Sequence, residues 1–370
     1  MKFAIHIARI LTGCLFIFSG LVKAIDPRGL AYKMQEFFEA WANSGFLPGL
    51  MESLGHYALV FSIIMITLEV VVGLALLLGW KNKLTTWILL LLILFFTFLT
   101  SYVLFSGKIR ACGCFGDCIP ITPIQTFTKD IILLLLSILL LVKQKHIQPV
   151  VRPALAGIIV LAGTLLTLFL QWYVLRHLPV KDCLPYKKGN NILELRKMPA
   201  NAIPDKFAMT FVYEKNGQQK EYTAEALPDS SWIFVDRKQT LIEAGKNNVP
   251  AINDFSLMTA SGVDTTEALL SQPGTYYILF IKDLHGLPSS FTADKELVKA
   301  AVATNVPLVI VASERNKIQE RFGAAATVLT CDATALKTAA RADAVLYKMN
   351  GPIVTNKWGW ADFENVGMTK

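Results

Sequence analysis

The sequence predicts an α-helical membrane bundle followed by an α/β domain, and three observations support this fold class. Of its 370 residues, 53% are hydrophobic and 17% are charged, which is too apolar for an ordinary soluble domain. The long apolar runs lie in the first half, whereas short strand-like and helix-like runs alternate in the second half. The formal net charge is +8, and nearly all of the basic excess falls in the apolar half, where basic residues set membrane topology.

Five apolar runs are long enough to cross a bilayer, whose hydrocarbon core requires about 20 residues of helix. We predict four core spans and a fifth that leads into the second half: residues 3–25, 57–80, 84–105, 124–142 and 154–175. The first run ends at "KAID" without a small-residue cleavage site, so we do not expect it to be a cleaved signal peptide.

Basic loops indicate the orientation of these spans. Residues 81–83 and 143–152 carry an excess of lysine and arginine, which is typical of cytoplasmic loops. Alternation then places the N-terminus inside and residues after 176 outside, although Lys108 and Arg110 in an outer loop oppose this. We expect a multi-pass protein of the cell inner membrane, surrounded by membrane lipid, with a periplasmic C-terminal domain. Nucleic acid is not an expected partner, because the second half shows no basic, aromatic-rich patch.

The first outer loop contains the sequence "PRGLAYKMQEFFEAWANSG", residues 27–45. Its apolar residues recur at helical spacing with charged residues between them, which predicts an amphipathic helix. Such a helix either lies on the membrane surface or packs on the bundle as a cap. The sequence leaves both alternatives open.

The second half is predicted to contain a hairpin around Asn216-Gly217, a further strand in "SWIFVDRK", and then a mixed α/β region. In that region we predict strands at 275–282 and 306–313 with a helix between them, two later helices and a closing hairpin. We divide the chain into four parts: a transmembrane domain (1–145), a fifth span with its linker (146–190), a β-rich segment (191–249) and an α/β domain (250–370).

The loop "KIRACGCFGDCIP" gathers three of the six cysteines, Cys112, Cys114 and Cys118, within seven residues. Cys183 follows the fifth span closely, so it also lies outside, near the membrane surface. We expect it within bridging reach of one sulfur of this loop, with Cα atoms closer than about 7 Å. Thiolates exchange with disulfides when sulfur atoms are accessible and close together. We therefore predict these four cysteines as candidate redox thiols, the set that a thiol relay on an oxidising face requires.

Other interpretations of the cysteines remain open. They could form a structural disulfide that clips the loop, which is the common outcome in an oxidising compartment. A metal or iron–sulfur site is disfavoured, because the spacing lacks the C-x2-C pairs and histidine partners that zinc usually has, so we predict no metal. Cys14 and Cys331 are predicted to be lone buried thiols.

Two ionisable residues fall inside the predicted spans. Glu69 lies near the middle of the second span, and we predict that Arg9 of the first span reaches it to form a buried ion pair. The alternatives are a protonated Glu69, or a role in proton or quinone chemistry. A quinone is thus a candidate cofactor, but the sequence requires none.

Three stretches of the membrane half carry a family resemblance: "ARILTGCLFIFSGLVKAIDP", "LEVVVGLALLLGW" and, most specifically, "CGCFGD". They resemble the DoxX/MauE superfamily and its MauE-like branch, and the whole chain resembles an envelope family of Bacteroidota in which this part carries an extracytoplasmic tail. The resemblance implies a four-helix core and a role in oxidative maturation and disulfide formation of an envelope protein.

The stretch "PAINDFSLMTASGVDTTEALLSQPGTYYILFIKD" resembles the start of a thioredoxin-like domain. The strand at 275–282 would then be central, and the redox motif would follow it. This chain has "DLHGLPSS" there, with no cysteine, and Ala344 stands about where such folds place a proline. The resemblance therefore implies a degenerate thioredoxin-like domain without thiol chemistry of its own.

Two functional hypotheses follow. In the first, the chain takes part in thiol–disulfide redox or oxidative maturation of envelope proteins through the CGCFGDC loop, and any enzymatic activity is that of a membrane thiol–disulfide oxidoreductase. In the alternative, it is a non-enzymatic scaffold or assembly factor whose periplasmic tail binds a periplasmic or membrane protein.

Overall fold

The computed structural model describes the chain except for residues 1, 110–112, 114, 115, 120, 244, 285, 289–291, 324, 325 and 368–370. Within the described part, five helices are long and apolar enough to cross a membrane. They are α1 (Lys2–Ala24), α4 (Ala58–Leu78), α5 (Asn82–Ser106), α6 (Pro123–Val142) and α7 (Pro153–His177). The five predicted spans are confirmed, and the chain is a multi-pass membrane protein.

The bundle is held together by close helix contacts. A Cβ atom added to Gly73 of α4 would lie 2.8 Å from the carbonyl oxygen of Gly13 of α1, so only glycine permits this approach. We call the end of the bundle that carries residues 79–83 and 143–152 the basic face. The opposite end, where α7 leads into the second half, is the tail face.

Two shorter helices, α2 (Pro27–Asn43) and α3 (Pro48–His56), lie at the tail face. Asp26 caps α2 by accepting a hydrogen bond from the Gly29 amide at 3.1 Å. The apolar side of α2 is buried, and the Ser62 hydroxyl of α4 donates to the carbonyl of Pro27 at 2.7 Å. Of the two alternatives for this amphipathic helix, the structure therefore shows the one in which it packs on the bundle.

A three-stranded antiparallel sheet follows the linker. It contains β1 (Lys206–Lys215), β2 (Gln218–Thr223) and β3 (Ile233–Glu243) in the order β2-β1-β3. Asn216 and Gly217 connect the first two strands with φ values of 56° and 76°, as a type I′ turn requires. The predicted hairpin is confirmed.

The last part of the chain forms a five-stranded mixed sheet with the order β6-β5-β4-β7-β8. Its strands are β4 (Thr275–Ile281), β5 (Leu308–Ala312), β6 (Thr327–Thr330), β7 (Ala344–Asn350) and β8 (Ile353–Gly359). Strands β4, β5 and β6 are parallel, and β7 and β8 run antiparallel to β4 and β7 respectively. The strand at 275–282 is central, as predicted, whereas the short strand β6 was not predicted.

Successive side chains of a strand point to opposite faces of its sheet, and alternate residues of β4 enter two separate hydrophobic clusters. Helices cover both of these faces. One face packs against α8 (Ile192–Leu195), α9 (Thr266–Leu270) and α12 (Ala333–Ala339). The other packs against α10 (Ala293–Thr304), α11 (Arg315–Phe322) and a 3₁₀ helix (Trp360–Asn365). The predicted fold class, a helical membrane bundle followed by an α/β domain of thioredoxin-like topology, is confirmed. Tyr186 and Ile192 of the segment between α7 and β1 also enter its core.

The packing of α2 can be tested at Phe37, which is completely buried. Phe37→Ala should destabilise the full-length chain by about 3–5 kcal/mol, because it leaves a cavity between α2 and the bundle. Phe46→Ala is the matched control, since Phe46 is 58% exposed. Thermal unfolding in detergent measures both, and equal losses for the two variants would contradict the packing of α2 on the bundle.

Candidate functional site

A disulfide joins Cys118 to Cys183, with a Cα–Cα distance of 5.0 Å. The expectation that Cys183 lies within bridging reach of a sulfur of the cysteine loop, with Cα atoms closer than about 7 Å, is confirmed. The bond links the turn before α6 to the linker after α7. Cys112 and Cys114 lie outside the described residues, so their predicted role stays a prediction.

Gly113 of the cysteine loop lies against α2 at the tail face. A Cβ atom added to Gly113, between the first two cysteines in sequence, would be 3.1 Å from the Lys33 side chain of α2. Gly116 has a φ of 59°, a backbone conformation that glycine adopts without strain. Gly113 is thus next to α2, whereas a Cβ atom added to Gly116 would lie 3.9 Å from Val22 of α1.

A cleft of about 550 Å³ opens beside the disulfide, between α2 and α12. Cys183 is among the residues that line it, together with Asp117, Tyr32, Lys337 and Arg341. One wall thus belongs to the membrane half and the other to the α/β domain. A molecule in this cleft lies beside the half-buried Cys183.

Arg341, the second residue after α12, joins the two halves of the chain beside this cleft. Its guanidinium lies 3.1 Å from the carboxylate of Asp26 and 2.5 Å from that of Asp117, the residue next to Cys118. Burial lowers the pKa of Arg341, but the two carboxylates outweigh it, and the pKa is raised. Burial raises the pKa of Asp26, against the opposing charge of Arg341. Arg341 therefore ties the cysteine loop to the α/β domain.

A second ion-pair cluster lies at the turn after β4. Asp343 accepts from Arg28 of α2 at 2.6 Å and lies 3.4 Å from Lys282, which in turn donates to the hydroxyl of Tyr32 at 3.2 Å. A Cβ atom added to Gly286 would lie 2.5 Å from the Asp343 carboxyl carbon. The turn at which thioredoxin-like folds carry their redox motif thus faces the membrane half. Among the described residues, charged groups lie there. His285, Ser289 and Ser290 of this turn lie outside the described residues.

The two remaining cysteines differ in their surroundings. Cys331 is buried in the core of the α/β domain, as predicted, and burial raises the pKa of its thiol to about 11. Cys14 was predicted to be buried, but it is exposed on the outer surface of α1. The apolar context of α1 did not reveal this, because lipid-facing and core-facing positions of a span are equally apolar.

The predicted pairing of Arg9 with Glu69 is wrong. Glu69 pairs with Lys23 near the end of α1, while Arg9 donates to the backbone carbonyls of Leu76, at 2.8 Å, Leu77 and Gln148. Because α1 and α4 are antiparallel, the residue of α1 opposite Glu69 is Gly20, and Arg9 is eleven residues, or about 16 Å, away from it. Arg9 instead caps the end of α4 at the basic face.

Lys23 and Glu69 belong to a larger polar cluster inside the bundle. They line a cavity of about 20 Å³ together with Lys129 and Asp130 of α6, whose charged groups lie 2.5 Å apart. Such a volume holds about one water molecule. Glu69 Oε2 and Asp130 Oδ2 have no hydrogen-bond partner among the described residues, so they are acceptors available to it. Lys23, Lys129 and Asp130 are charged residues within the predicted spans 3–25 and 124–142 and were the signal for this cluster, but only Arg9 and Glu69 were predicted to pair.

Comparisons with known proteins match two separate parts of the chain. Residues 1–143 match the family described as methylamine utilisation protein MauE. Residues 207–244 match a domain of unknown function, DUF8463, and correspond to the three-stranded sheet. The chain is 34% identical over 135 residues to Protein TlpB of Flavobacterium psychrophilum, which covers 36% of this chain and 35% of the relative. The match thus spans about a third of that relative's length. No solved structure matches the chain.

The Lys23–Glu69 pair predicts the outcome of a double-mutant cycle. Glu69→Leu should destabilise the chain by about 3–5 kcal/mol, because it leaves the Lys23 ammonium buried without its partner. Adding Lys23→Leu should recover much of this loss. Adding Arg9→Leu to Glu69→Leu is the control and should recover none. Thermal unfolding in detergent compares the two double variants. Recovery of stability with Arg9→Leu would contradict the Lys23–Glu69 pair and support a pair between Arg9 and Glu69.

The contact of the α/β domain with α2 can be tested at Asp343. Asp343→Asn removes the carboxylate shared by Arg28 and Lys282, so we expect faster amide hydrogen exchange in residues 26–33 and 341–343. Asp236→Asn, at an exposed position of β3, should leave this exchange unchanged. Unaltered exchange in Asp343→Asn would mean that these ion pairs do not hold the two halves together.

The pKa of Cys331 predicts slow thiol modification. At pH 8, about one thiol in a thousand is ionised when the pKa is about 11, and only the thiolate reacts. A maleimide should therefore modify Cys331 slowly in the folded chain and rapidly after unfolding in urea. Rapid modification in the folded chain would contradict the burial of this thiol.

Proposed function

We propose that this protein is a membrane thiol–disulfide exchange protein whose reactive bond is Cys118–Cys183. The observation that carries the proposal is the position of this disulfide at a cleft between two domains, where Cys183 lines a space of about 550 Å³. A disulfide serving only to clip a loop needs no access from outside. A disulfide that exchanges does.

The exchange proceeds in two steps. An incoming thiolate attacks Cys183, the S–S bond breaks, and its electron pair passes to Cys118 as thiolate. A second thiol of the substrate then attacks the mixed disulfide and releases Cys183. The substrate dithiol is oxidised to a disulfide, the Cys118–Cys183 pair is reduced, and the two thiol protons pass through solvent to its sulfurs. Three cations of the cleft, among them Arg341 and Lys337, are balanced by the carboxylates of Glu36, Glu39 and Asp117, so the cleft accepts a neutral thiol as well as a thiolate.

The thioredoxin-like domain acts in this proposal as a docking wall, without thiol chemistry. It supplies α12 to the cleft, and the turn after β4 holds it against α2 through Arg28, Lys282 and Asp343. Cys112 and Cys114 would exchange with the Cys118–Cys183 pair as an inner dithiol, since they adjoin it in sequence.

The setting of this chemistry is part of the proposal. The basic loops support an inner-membrane protein with a cytoplasmic N-terminus and with the cleft in the periplasm. The periplasm is a compartment where disulfides persist. The match of residues 1–143 to MauE supports a role beside an envelope protein that requires disulfides. The same proposal includes the resemblance to DoxX and an origin in Bacteroidota. Its substrate is a periplasmic or membrane protein.

The experiment uses the oxidised full-length chain in detergent and a reduced peptide with two cysteines. After acid quenching and alkylation, peptide mapping should show reduced Cys118 and Cys183 and an equal amount of oxidised peptide. A peptide with one cysteine should leave an adduct on Cys183 and an alkylatable Cys118. Cys331→Ser is the matched control and should react as the unchanged chain does.

The same measurement tests the alternative, a scaffold whose cysteines are structural. In that case the Cys118–Cys183 bond would resist the peptide until the chain is unfolded. Adducts on Cys118 instead of Cys183 would contradict the assignment of the attacked sulfur. The tight ionic contact between the two halves is the observation that favours the scaffold.

A further inference from the structure

A cleft of about 780 Å³ lies at the basic face, far from the disulfide. Four cationic or titratable side chains line it: His6 and Arg9 from α1, and Lys145 and His146 from the connection between α6 and α7. Apolar side chains stand beside them, among them Phe3 and Val150, which are 77% and 63% exposed. The cleft thus combines positive charge with an apolar rim.

The sequence provides no acidic counter-charge for this face. Residues 1–25, 70–116 and 131–181, which include the spans' ends at the basic face and their connections, contain no aspartate or glutamate. Residues 81–83 and 143–152 add further lysines and an arginine. A group of cations without acidic neighbours attracts anions from outside the chain.

Arg9 gives the cleft a fixed charged group at its base. The guanidinium is buried, and the described bonds to Leu76, Leu77 and Gln148 use three of its five N–H groups. Those bonds hold the guanidinium plane in place, because the carbonyls belong to the end of α4 and to the connection before α7. Two N–H groups have no described acceptor, and Arg9 is among the residues that line the cleft.

The geometry points to a binding site for the phosphate-bearing headgroup of an anionic phospholipid. Arg9 and Lys145 contact the phosphate, and the apolar rim receives the glycerol and the first part of the acyl chains. A membrane lipid is the occupant, since the cleft lies at the end of the spans, where a bundle meets the headgroup layer, and since both cationic and apolar residues line it. Basic clefts between spans are known to suit such headgroups.

The test measures lipid binding to the purified full-length chain by native mass spectrometry. The probes are phosphatidylglycerol, phosphatidylcholine and inorganic phosphate. We expect one phosphatidylglycerol to be retained at concentrations at which phosphatidylcholine is not, and inorganic phosphate not to displace it. The variant Lys145→Gln/His146→Gln should bind phosphatidylglycerol at least about fivefold more weakly, the change expected for each surface cation removed.

The control variant Lys81→Gln/Lys83→Gln removes two cations of the same face that do not line the cleft. It should weaken binding clearly less than the cleft variant. Equal weakening would show diffuse attraction to the whole face and overturn the site. Displacement by inorganic phosphate, or equal retention of phosphatidylcholine, would also overturn it.

Discussion

The contact between the membrane half and the α/β domain depends on six charged groups at the tail face. Three cations, Arg28, Lys282 and Arg341, meet three carboxylates, and each cation lies within 3.4 Å of a carboxylate. Removing one member of such a set leaves a desolvated charge, which costs far more than an exposed pair contributes. The cleft, the orientation of α12 and the position of the cysteine loop all follow from this contact.

The linker after α7 reinforces the same contact from two directions. Cys183 bonds covalently to the membrane half through Cys118, and its neighbour Asp182 pairs with Lys357 of β8 at 2.6 Å. Burial lowers the pKa of Lys357, although Asp182 opposes this. Cys183 of the linker is thus held to the bundle, and the residue before it, Asp182, is held to the sheet. Reduction of the disulfide would remove the covalent link while the ionic ones persist, so the cleft would remain assembled.

Much of the architecture could be predicted because it depends on local patterns. Apolar runs of about 20 residues specify spans, and Asn216-Gly217 specifies a hairpin turn. The reach of Cys183 to the cysteine loop also followed from order along the chain, since both segments adjoin the tail face. The four-residue strand β6 escaped prediction because so short a run carries too little pattern.

The pairing of charges could not be predicted in the same way, because it depends on the register between helices. Glu69 faces Gly20 only because α1 and α4 approach through glycines at particular positions, and sequence spacing does not reveal that register. The bonds from Arg28 and Arg341 to carboxylates join segments more than 200 residues apart. They result from the way the domain docks and leave no local signal.

The degenerate turn after β4 explains why a thioredoxin-like domain without the usual cysteines would be kept at this place. In this fold the turn and the residue before β7 lie side by side, here joined by a bond from the Lys282 amide to the Asp343 carbonyl at 2.9 Å. That arrangement forms a ready surface for a neighbouring chain segment. With charges in place of thiols, this part of the domain holds Arg28 of α2 through Asp343 and holds Asp117 through Arg341. The cysteines of the loop then belong to the membrane half, and α12 of the domain forms one wall of the cleft beside Cys183.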